Sequence, residues 1–512
     1  PETRKENLVE VLHGTAVSDP YRWLEDDRAP ETEAWVRAQN KLTFEYLDQI
    51  PERSAIRERL TKLWDYEKFG VPFQEGGHYF YTRNDGLQNQ SVLYVTRSLD
   101  NEARVLLDPN KLSTDGTVAL RDYAISHNGQ LMAYGLSKDG SDWQEWKVRN
   151  VETGEDLADN LKWIKFSGAS WAHDDSGFYY SRYAEPTSGN ELTGQNYHQK
   201  VYFHKVGTPQ ADDRLVYART DEKKWGFSAQ VTDDGHYLII TVWLGTDRRN
   251  RVFYLDLKSA GAKVVELLND FDASYTFVDN VGNEFLFFTD LDAPRGRVMG
   301  IDVDRPTRNE WRDILPEADD TLQSVNLIND SLVCSYLHDA HSRIRIFDRD
   351  GKAIQEVELP GIGSADGFGG RRSDHETFYS FSGFTDPGRI YRYDLETGTS
   401  TIFREPTVDF DPAAFETRQV FFKSLDGTRI PMFITHQKGL QLNGDNPVYL
   451  YGYGGFNISL TPRFSLAMLV WMERGGVYAQ ATLRGGGEYG EAWHQAGMKH
   501  EKQNVFDDFI AA

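Results

Sequence analysis

The run Ser331-Leu332-Val333-Cys334-Ser335-Tyr336, followed after a turn by Ile344-Arg345-Ile346-Phe347, decides the fold. Both stretches are rich in β-branched and aromatic residues and too short for helices, so they read as neighbouring strands. The same pair recurs along the chain. Candidate inner strands centre on Phe80, Tyr134, Tyr180, Ile240, Phe288, Ser335 and Ser380, with successive separations of 54, 46, 60, 48, 47 and 45 residues. Each is followed by a second run, such as Val92-Leu93-Tyr94-Val95, Val252-Phe253-Tyr254-Leu255 or Ile390-Tyr391-Arg392-Tyr393. Seven units of roughly 50 residues match the repeat of a β-propeller, where four-stranded sheets pack around a channel. An array of β-sandwiches is the alternative, but sandwiches rarely sustain one spacing seven times.

The text on either side differs. Residues 27–65 carry a helical signature: Pro30 suits a first turn, Glu31 and Glu33 follow it, and Trp35, Leu42 and Tyr46 recur at near-helical spacing. Pro51 ends that helix and 54–63 forms a second. From about Phe410 a strand and its return at 430–435 lead to a short buried strand, Pro447-Val448-Tyr449-Leu450-Tyr451. An apolar helix (465–474), a strand (476–483) and a helix from Glu491 follow, the order of a parallel sheet with crossovers. The expected domains are a helical arm (1–70), the propeller (71–404) and the first part of an α/β domain (405–512). Because the text stops inside a helix, and a hundred residues supply little of a sheet that must be covered on both faces, a longer natural polypeptide is expected.

Composition bounds the function. The 512 residues hold 56 Lys and Arg against 79 Asp and Glu, a net charge of -23, which would repel a phosphate backbone, so no nucleic-acid partner is expected. Cys334 is the only cysteine, which excludes an intrachain disulfide and a cysteine zinc site, and its apolar run marks it as a small core residue. No stretch reaches the ~18 apolar residues needed to cross a bilayer. A soluble protein without cofactor or metal is expected, with no membrane partner, a monomeric state, and the cytoplasm favoured over the periplasm.

Three motifs could carry chemistry. Tyr451-Gly452-Tyr453-Gly454-Gly455-Phe456-Asn457 follows a strand directly; glycines there let backbone approach a ligand, and a tyrosine hydroxyl at a strand's end can donate to developing negative charge. In α/β-hydrolases the loop after the third strand supplies part of the oxyanion hole. A glycine-rich structural turn is the alternative. Arg484-Gly485-Gly486-Gly487-Glu488-Tyr489-Gly490 contains a literal G-x-G-x-x-G, but the acid that should end a second strand, Asp507, falls in a helical stretch, so a dinucleotide site is rejected. His494 and His500, six apart, fall on different helix faces, and His173-Asp174-Asp175 sits in a predicted turn. No Gly-x-Ser-x-Gly occurs.

Taken together these residues resemble the prolyl oligopeptidase family of serine peptidases. The resemblance rests on Asp19-Pro20-Tyr21-Arg22-Trp23-Leu24-Glu25-Asp26, Glu33-Ala34-Trp35-Val36, Asn84-Asp85-Gly86-Leu87-Gln88-Asn89-Gln90, Gly140-Ser141-Asp142-Trp143 and His198-Gln199-Lys200-Val201-Tyr202. It is most specific in 450–459, 483–489 and Gln503-Asn504-Val505-Phe506-Asp507-Asp508-Phe509. It implies a seven-bladed β-propeller inserted into an α/β-hydrolase domain, incomplete in this chain, and cleavage of short peptides after proline by a serine, histidine and aspartate expected beyond Ala512. By the same resemblance Tyr453 completes the oxyanion hole, Phe456 lines the proline pocket, and Phe166 and Leu255 face the substrate cavity, with core packing the alternative for the last two. Aromatic walls suit proline because its ring is rigid and apolar and its nitrogen carries no hydrogen to leave unpaired. A second expectation stands beside this one: a catalytically inactive propeller that binds peptides, since no nucleophile occurs in the 512 residues.

Overall fold

The computed structural model describes residues 1–187 and 194–512, in two compact units, Pro1–Leu63 and Trp64–Ala512. The first unit opens with a hairpin, Val9–Leu12 paired with Thr15–Ser18, turned at His13 and Gly14, both at positive φ. Arg22, from the motif that begins at Asp19, pairs with Glu10 of this hairpin at 2.5 Å and with Asp19 itself at 2.5 Å. The expected helices follow as Pro30–Leu47, with Pro30 in the first turn, and Arg53–Trp64.

Among its described residues the second unit holds seven consecutive antiparallel sheets, one of five strands and six of four. Each aromatic or β-branched run of the repeat is a strand, and each core is shared between neighbouring sheets. Phe80 and Leu93 of the first pack with Met132 and Tyr134 of the second. Trp146 and Leu161 of the second pack with Phe178 and Tyr180 of the third, and so on to Val333 and Ile346 of the sixth against Tyr379 and Tyr393 of the seventh. The ring closes without a shared strand. Tyr79 of the first blade donates to Glu376 of the seventh at 2.9 Å, and its ring meets Phe378 edge-on. The strands centred on Phe80, Tyr134 and their counterparts are not innermost: each is paired on both sides, so an outer strand of each sheet must line the channel. The first blade also starts earlier than expected, at Lys68–Phe69.

This topology sends the turns between first and second strands to one end of the ring and those between second and third to the other. At the first end Arg371 of the seventh blade reaches Glu75 of the first (2.7 Å), His127 of the second (2.6 Å) and Asp233 of the fourth (2.6 Å), and so bridges the channel. The His173 turn lies at this end, its imidazole exposed beside His127. Cys334 is buried between the fifth and sixth blades, where desolvation pushes its thiol up.

Asp159 of the second blade and Asp213 of the third hold His204 between them, at 2.9 and 2.7 Å, all three side chains being buried or nearly so. Burial favours the neutral ring, yet hydrogen bonds and charge from the two carboxylates outweigh it and push His204 up to about 9 from 6.5. A raised folded-state value means that this cluster's contribution is complete below pH ~6.5 and is lost as pH rises through about 9. Melting temperatures followed by circular dichroism should therefore show wild type exceeding His204→Asn by a margin that narrows between pH 7 and 10. A constant margin would exclude a charged His204.

The last hundred residues form a mixed sheet. Phe415–Lys423 pairs antiparallel with Arg429–Gln437, which pairs antiparallel with Val477–Ala481, and only Val448–Tyr451 lies parallel, against Val477–Ala481. Val448–Tyr451 is an edge strand of the four described, with most of its residues exposed among the described residues. Ser465 caps the helix Leu466–Glu473. The helix expected from Glu491 is broken into Glu491–Gln495, a short turn, and Gln503–Ala511. The break falls at Gly497, where a Cβ would stand 2.3 Å from Gly485 N.

Candidate active site

Both parallel strands deliver a glycine-rich loop at their carboxyl ends, the edge at which open α/β sheets bind ligands. The first loop, 452–460, carries Gly454, Phe456 and Asn457 at positive φ (64°, 52° and 57°). A bulky residue such as Phe456 holds that conformation only when its surroundings impose it. The surroundings are the second loop. Asn457 N–H donates to the Gly485 carbonyl at 3.0 Å, Ile458 N–H to Gly455 at 3.0 Å, and Leu460 N–H to the Glu488 carboxyl at 2.7 Å. Lys502 Nζ holds the Gly454 carbonyl at 2.6 Å.

The three glycines of the second loop now have a reason. A Cβ at 485 would stand 2.6 Å from the Gly454 oxygen, at 486 it would stand 2.9 Å from the Ile458 oxygen, and at 487 it would stand 2.7 Å from the Asn457 oxygen. One backbone rests on the other, and no phosphate is needed to explain the G-x-G-x-x-G. Asp507, the acid that a dinucleotide site would require, lies on the helix Gln503–Ala511.

Tyr453 and Phe456 emerge from this pinned loop with 43% and 70% of their surface exposed. The tyrosine is therefore not packed into the interior. Above the same edge sit the propeller's turns between second and third strands. Tyr489 donates to Asp339 at 2.6 Å, Glu491 N–H donates to the Pro294 carbonyl at 2.7 Å, and Glu491 pairs with Arg248 at 2.8 Å. Gln419 donates to the Asp339 carbonyl, and Ser364 to that of Pro462 at 2.8 Å. Burial and the Asp339 carboxylate push the Tyr489 phenol up.

Of the two propeller residues, Phe166 lies in the connection between the second and third blades, on the side that faces the sheet. It is 52% exposed, has φ 56°, and meets Trp243 edge-on at 5.9 Å. Leu255 is not beside it. Its strand partner is Leu238, five residues back from Trp243, or about 17 Å along the strand, and the pleat turns the two side chains to opposite faces. Leu255 packs half-buried against the core shared by the third and fourth blades. Trp243 escaped the sequence reading, although Gly226, its cross-strand partner, clears space for the indole.

Two charged groups beneath the loops were also missed. Arg484 is buried with Asp508 at 2.6 Å and reaches Asp426 at 2.5 Å; the Asp508 carboxylate first, then Asp426, raise its guanidinium. Glu488 is 1% exposed, and burial pushes it up to about 7. Among the described residues no cluster of three or more His, Cys, Asp or Glu side chains is arranged to hold a metal ion, and no helix is long and apolar enough to cross a membrane.

The model of the prolyl oligopeptidase N-terminal β-propeller domain matches residues 1–406, and that of the prolyl oligopeptidase family matches 462–512. The chain belongs to the prolyl oligopeptidase family. It is 42% identical to a prolyl endopeptidase of Elizabethkingia meningoseptica over all 512 residues, which span 72% of that relative. One of two prolyl endopeptidases studied for the role of inter-domain dynamics in catalysis and specificity superposes with a TM-score of 0.94 at 36% identity, covering 100% of this chain and 75% of that one. Prolyl oligopeptidase B from Galerina marginata, bound to a 25-residue macrocyclization substrate, gives 0.93 at 33% identity, with 100% and 75% covered. In this family the seven-bladed propeller and the α/β-hydrolase sheet are the two parts that the turns at Asp339, Pro294 and Arg248 join here.

Proposed function

We propose that the protein is a serine endopeptidase that cleaves short peptides on the carboxyl side of proline by acyl transfer, with the propeller limiting access to folded proteins. The observation that carries this reading is the exposed Tyr453 on a loop pinned at the carboxyl edge of the parallel strands, beneath the propeller's turns. Its hydroxyl would donate to the carbonyl oxygen as that oxygen gains charge. Phe456 would form a wall of the proline pocket, and Phe166 with Trp243 would meet residues further along the substrate. Leu255 would act from below, through the packing of its blade. The family relatives named prolyl endopeptidase support this reading over that of an inactive peptide-binding propeller. We assign residues 1–67 to a helical arm of the peptidase domain, 68–404 to the propeller, whose first blade begins at Lys68, and 405–512 to the hydrolase domain, and propose a monomer of the cytoplasm.

Hydrolysis of a chromogenic Gly-Pro substrate by the natural protein, abolished by a serine-directed phosphonate, tests the reading. Absence of hydrolysis, or hydrolysis that the phosphonate leaves untouched, would remove it. In the same assay Phe456→Ala should lower the preference for Gly-Pro over Gly-Ala substrates by about 10-fold, since an aromatic wall contributes of order 1–3 kcal/mol of discrimination. Equal preference in variant and wild type would take Phe456 out of the pocket.

A further inference from the structure

Glu488 lies at the centre of the contact between the two loops. One carboxyl oxygen accepts from Leu460 N–H at 2.7 Å, while the other, Oε2, is buried without a partner. Asn457 Oδ1, on the loop above, is a second buried acceptor without a donor. Both line the glycine run: Cβ positions built at Gly486 and Gly487 fall 2.2 Å from Glu488 Oε2 and 3.0 Å from Asn457 Oδ1. Ile458 contributes a carbonyl at the same place, 2.9 Å from the Gly486 position. Glu488 Oε2 and the Ile458 carbonyl thus face the same Gly486 position, and the Asn457 side chain, its oxygen and its amide nitrogen both at 3.0 Å, lies beside Gly487. Buried acceptors of this kind are rare enough in folded proteins to need an explanation.

We propose that Glu488 is a positioning residue for the oxyanion loop, holding segment 453–460 as the neutral acid, with Oε1 accepting from Leu460 and the proton on Oε2 turned toward the acceptors of that loop. This inference rests on the reading of Tyr453 given above. Its surroundings suit a neutral group. Arg484 is committed to Asp508 and Asp426, Lys502 to the Gly454 carbonyl, and Glu491 to Arg248. His494 Nδ1 lies 2.8 Å from the Gly485 carbonyl, Tyr489 donates to Asp339, and Tyr453 points into solvent. Among the described residues no cation pairs with a carboxylate at 488. Burial raises the group to about 7, opposed by the Leu460 N–H, its own N–H and the Trp493 indole. The sign follows: below neutrality the acid form is populated and the loop is held, and above it ionisation strands Oε2 beside the Ile458 carbonyl and loosens the loop. The same residue's neighbours, Tyr489 and Glu491, grip the propeller, so the segment that positions Tyr453 is also the one that reports propeller contact.

Four measurements on the natural protein and its variants test this. In Glu488→Leu, kcat for a Gly-Pro substrate should fall about 10- to 100-fold with a smaller change in KM, as small misplacements of a reacting group do. Glu488→Gln, which keeps an acceptor for Leu460 and a donor for Ile458, should restore most of it. The fall in kcat/KM that Glu488 ionisation causes above pH ~7 in wild type should be missing from Glu488→Gln. Hydrogen exchange at the amides of 457–460 should be faster in Glu488→Leu than in wild type. A Leu variant with wild-type kcat, a Gln variant as slow as Leu, identical pH profiles for wild type and Gln, or unchanged exchange at those amides would each overturn the proposal. If Glu488→Leu does not fold, the Gln profile alone decides. Failure of the Tyr453 reading shows differently: Tyr453→Phe would keep its turnover while the exchange result stood.

Discussion

Tyr453→Phe is expected to lower kcat for a Gly-Pro substrate about 100- to 1000-fold, the usual effect of removing one oxyanion donor, with KM nearly unchanged. The expectation is sharp because the loop leaves the ring little choice. Gly454, Phe456 and Asn457 hold positive φ, the backbone is tied to Gly485 and Glu488, and Lys502 fixes the Gly454 carbonyl. A phenylalanine should therefore keep the ring in place and delete one hydroxyl, which the transition state needs and the ground state does not. Steady-state kinetics on the purified protein read the result, and intact loop geometry is checked by unchanged inhibition by a proline-containing product. A drop of less than about threefold would mean that the hydroxyl does not meet the developing charge.

How far the sequence reaches is uneven, and the reasons are physical. Strand positions around Phe80, Tyr134, Ile240 and Ser380 were readable because a blade's second strand is paired on both edges and largely shielded from solvent, so its composition is narrow. Their place in the blade was not, since burial looks alike for any central strand. Which of Val448–Tyr451 and Val477–Ala481 lies inside the described sheet is not legible, since both are hydrophobic and only pairing tells them apart. Within the site, Tyr453 stood out as a tyrosine in a glycine loop after a strand, and Phe456 by the family resemblance. Glu488, Arg484 and Asp508 did not, because a charge in a string looks the same whether solvated or buried. A signal existed: on the helix Gln503–Ala511, Val505 and Asp508 are three apart and share the buried face. A carboxylate on an apolar stripe asks for a buried cation. Leu255, a position carried over by resemblance, is separated from Phe166 by strand register and packs against the core of its blade.

That buried pair carries the second large effect. Asp508 is fully buried and accepts from Arg484 three times: from the backbone N–H at 3.1 Å, from Nε at 3.0 Å and from Nη2 at 2.6 Å. Asp508→Ala would leave the Arg484 guanidinium inside the fold with only Asp426 and Ser424 as partners, at 2.5 and 3.2 Å, and would orphan a buried N–H. Breaking a buried pair by removing one partner costs about 3–5 kcal/mol, most of it the uncompensated charge rather than the lost attraction. The double variant Arg484→Met with Asp508→Leu removes both charges and should recover most of that loss. Urea unfolding of wild type, both single variants and the double closes the cycle, with a coupling of about 3 kcal/mol expected for groups in direct contact. Additive losses, or an Asp508→Ala variant within 1 kcal/mol of wild type, would mean that solvent reaches the guanidinium and that the pair does not anchor the loop. Because Arg484 begins the glycine run on which the Tyr453 loop rests, Asp508→Ala should also lower kcat under conditions where the protein remains folded, whereas the repacked double variant should keep its stability and recover turnover only in part.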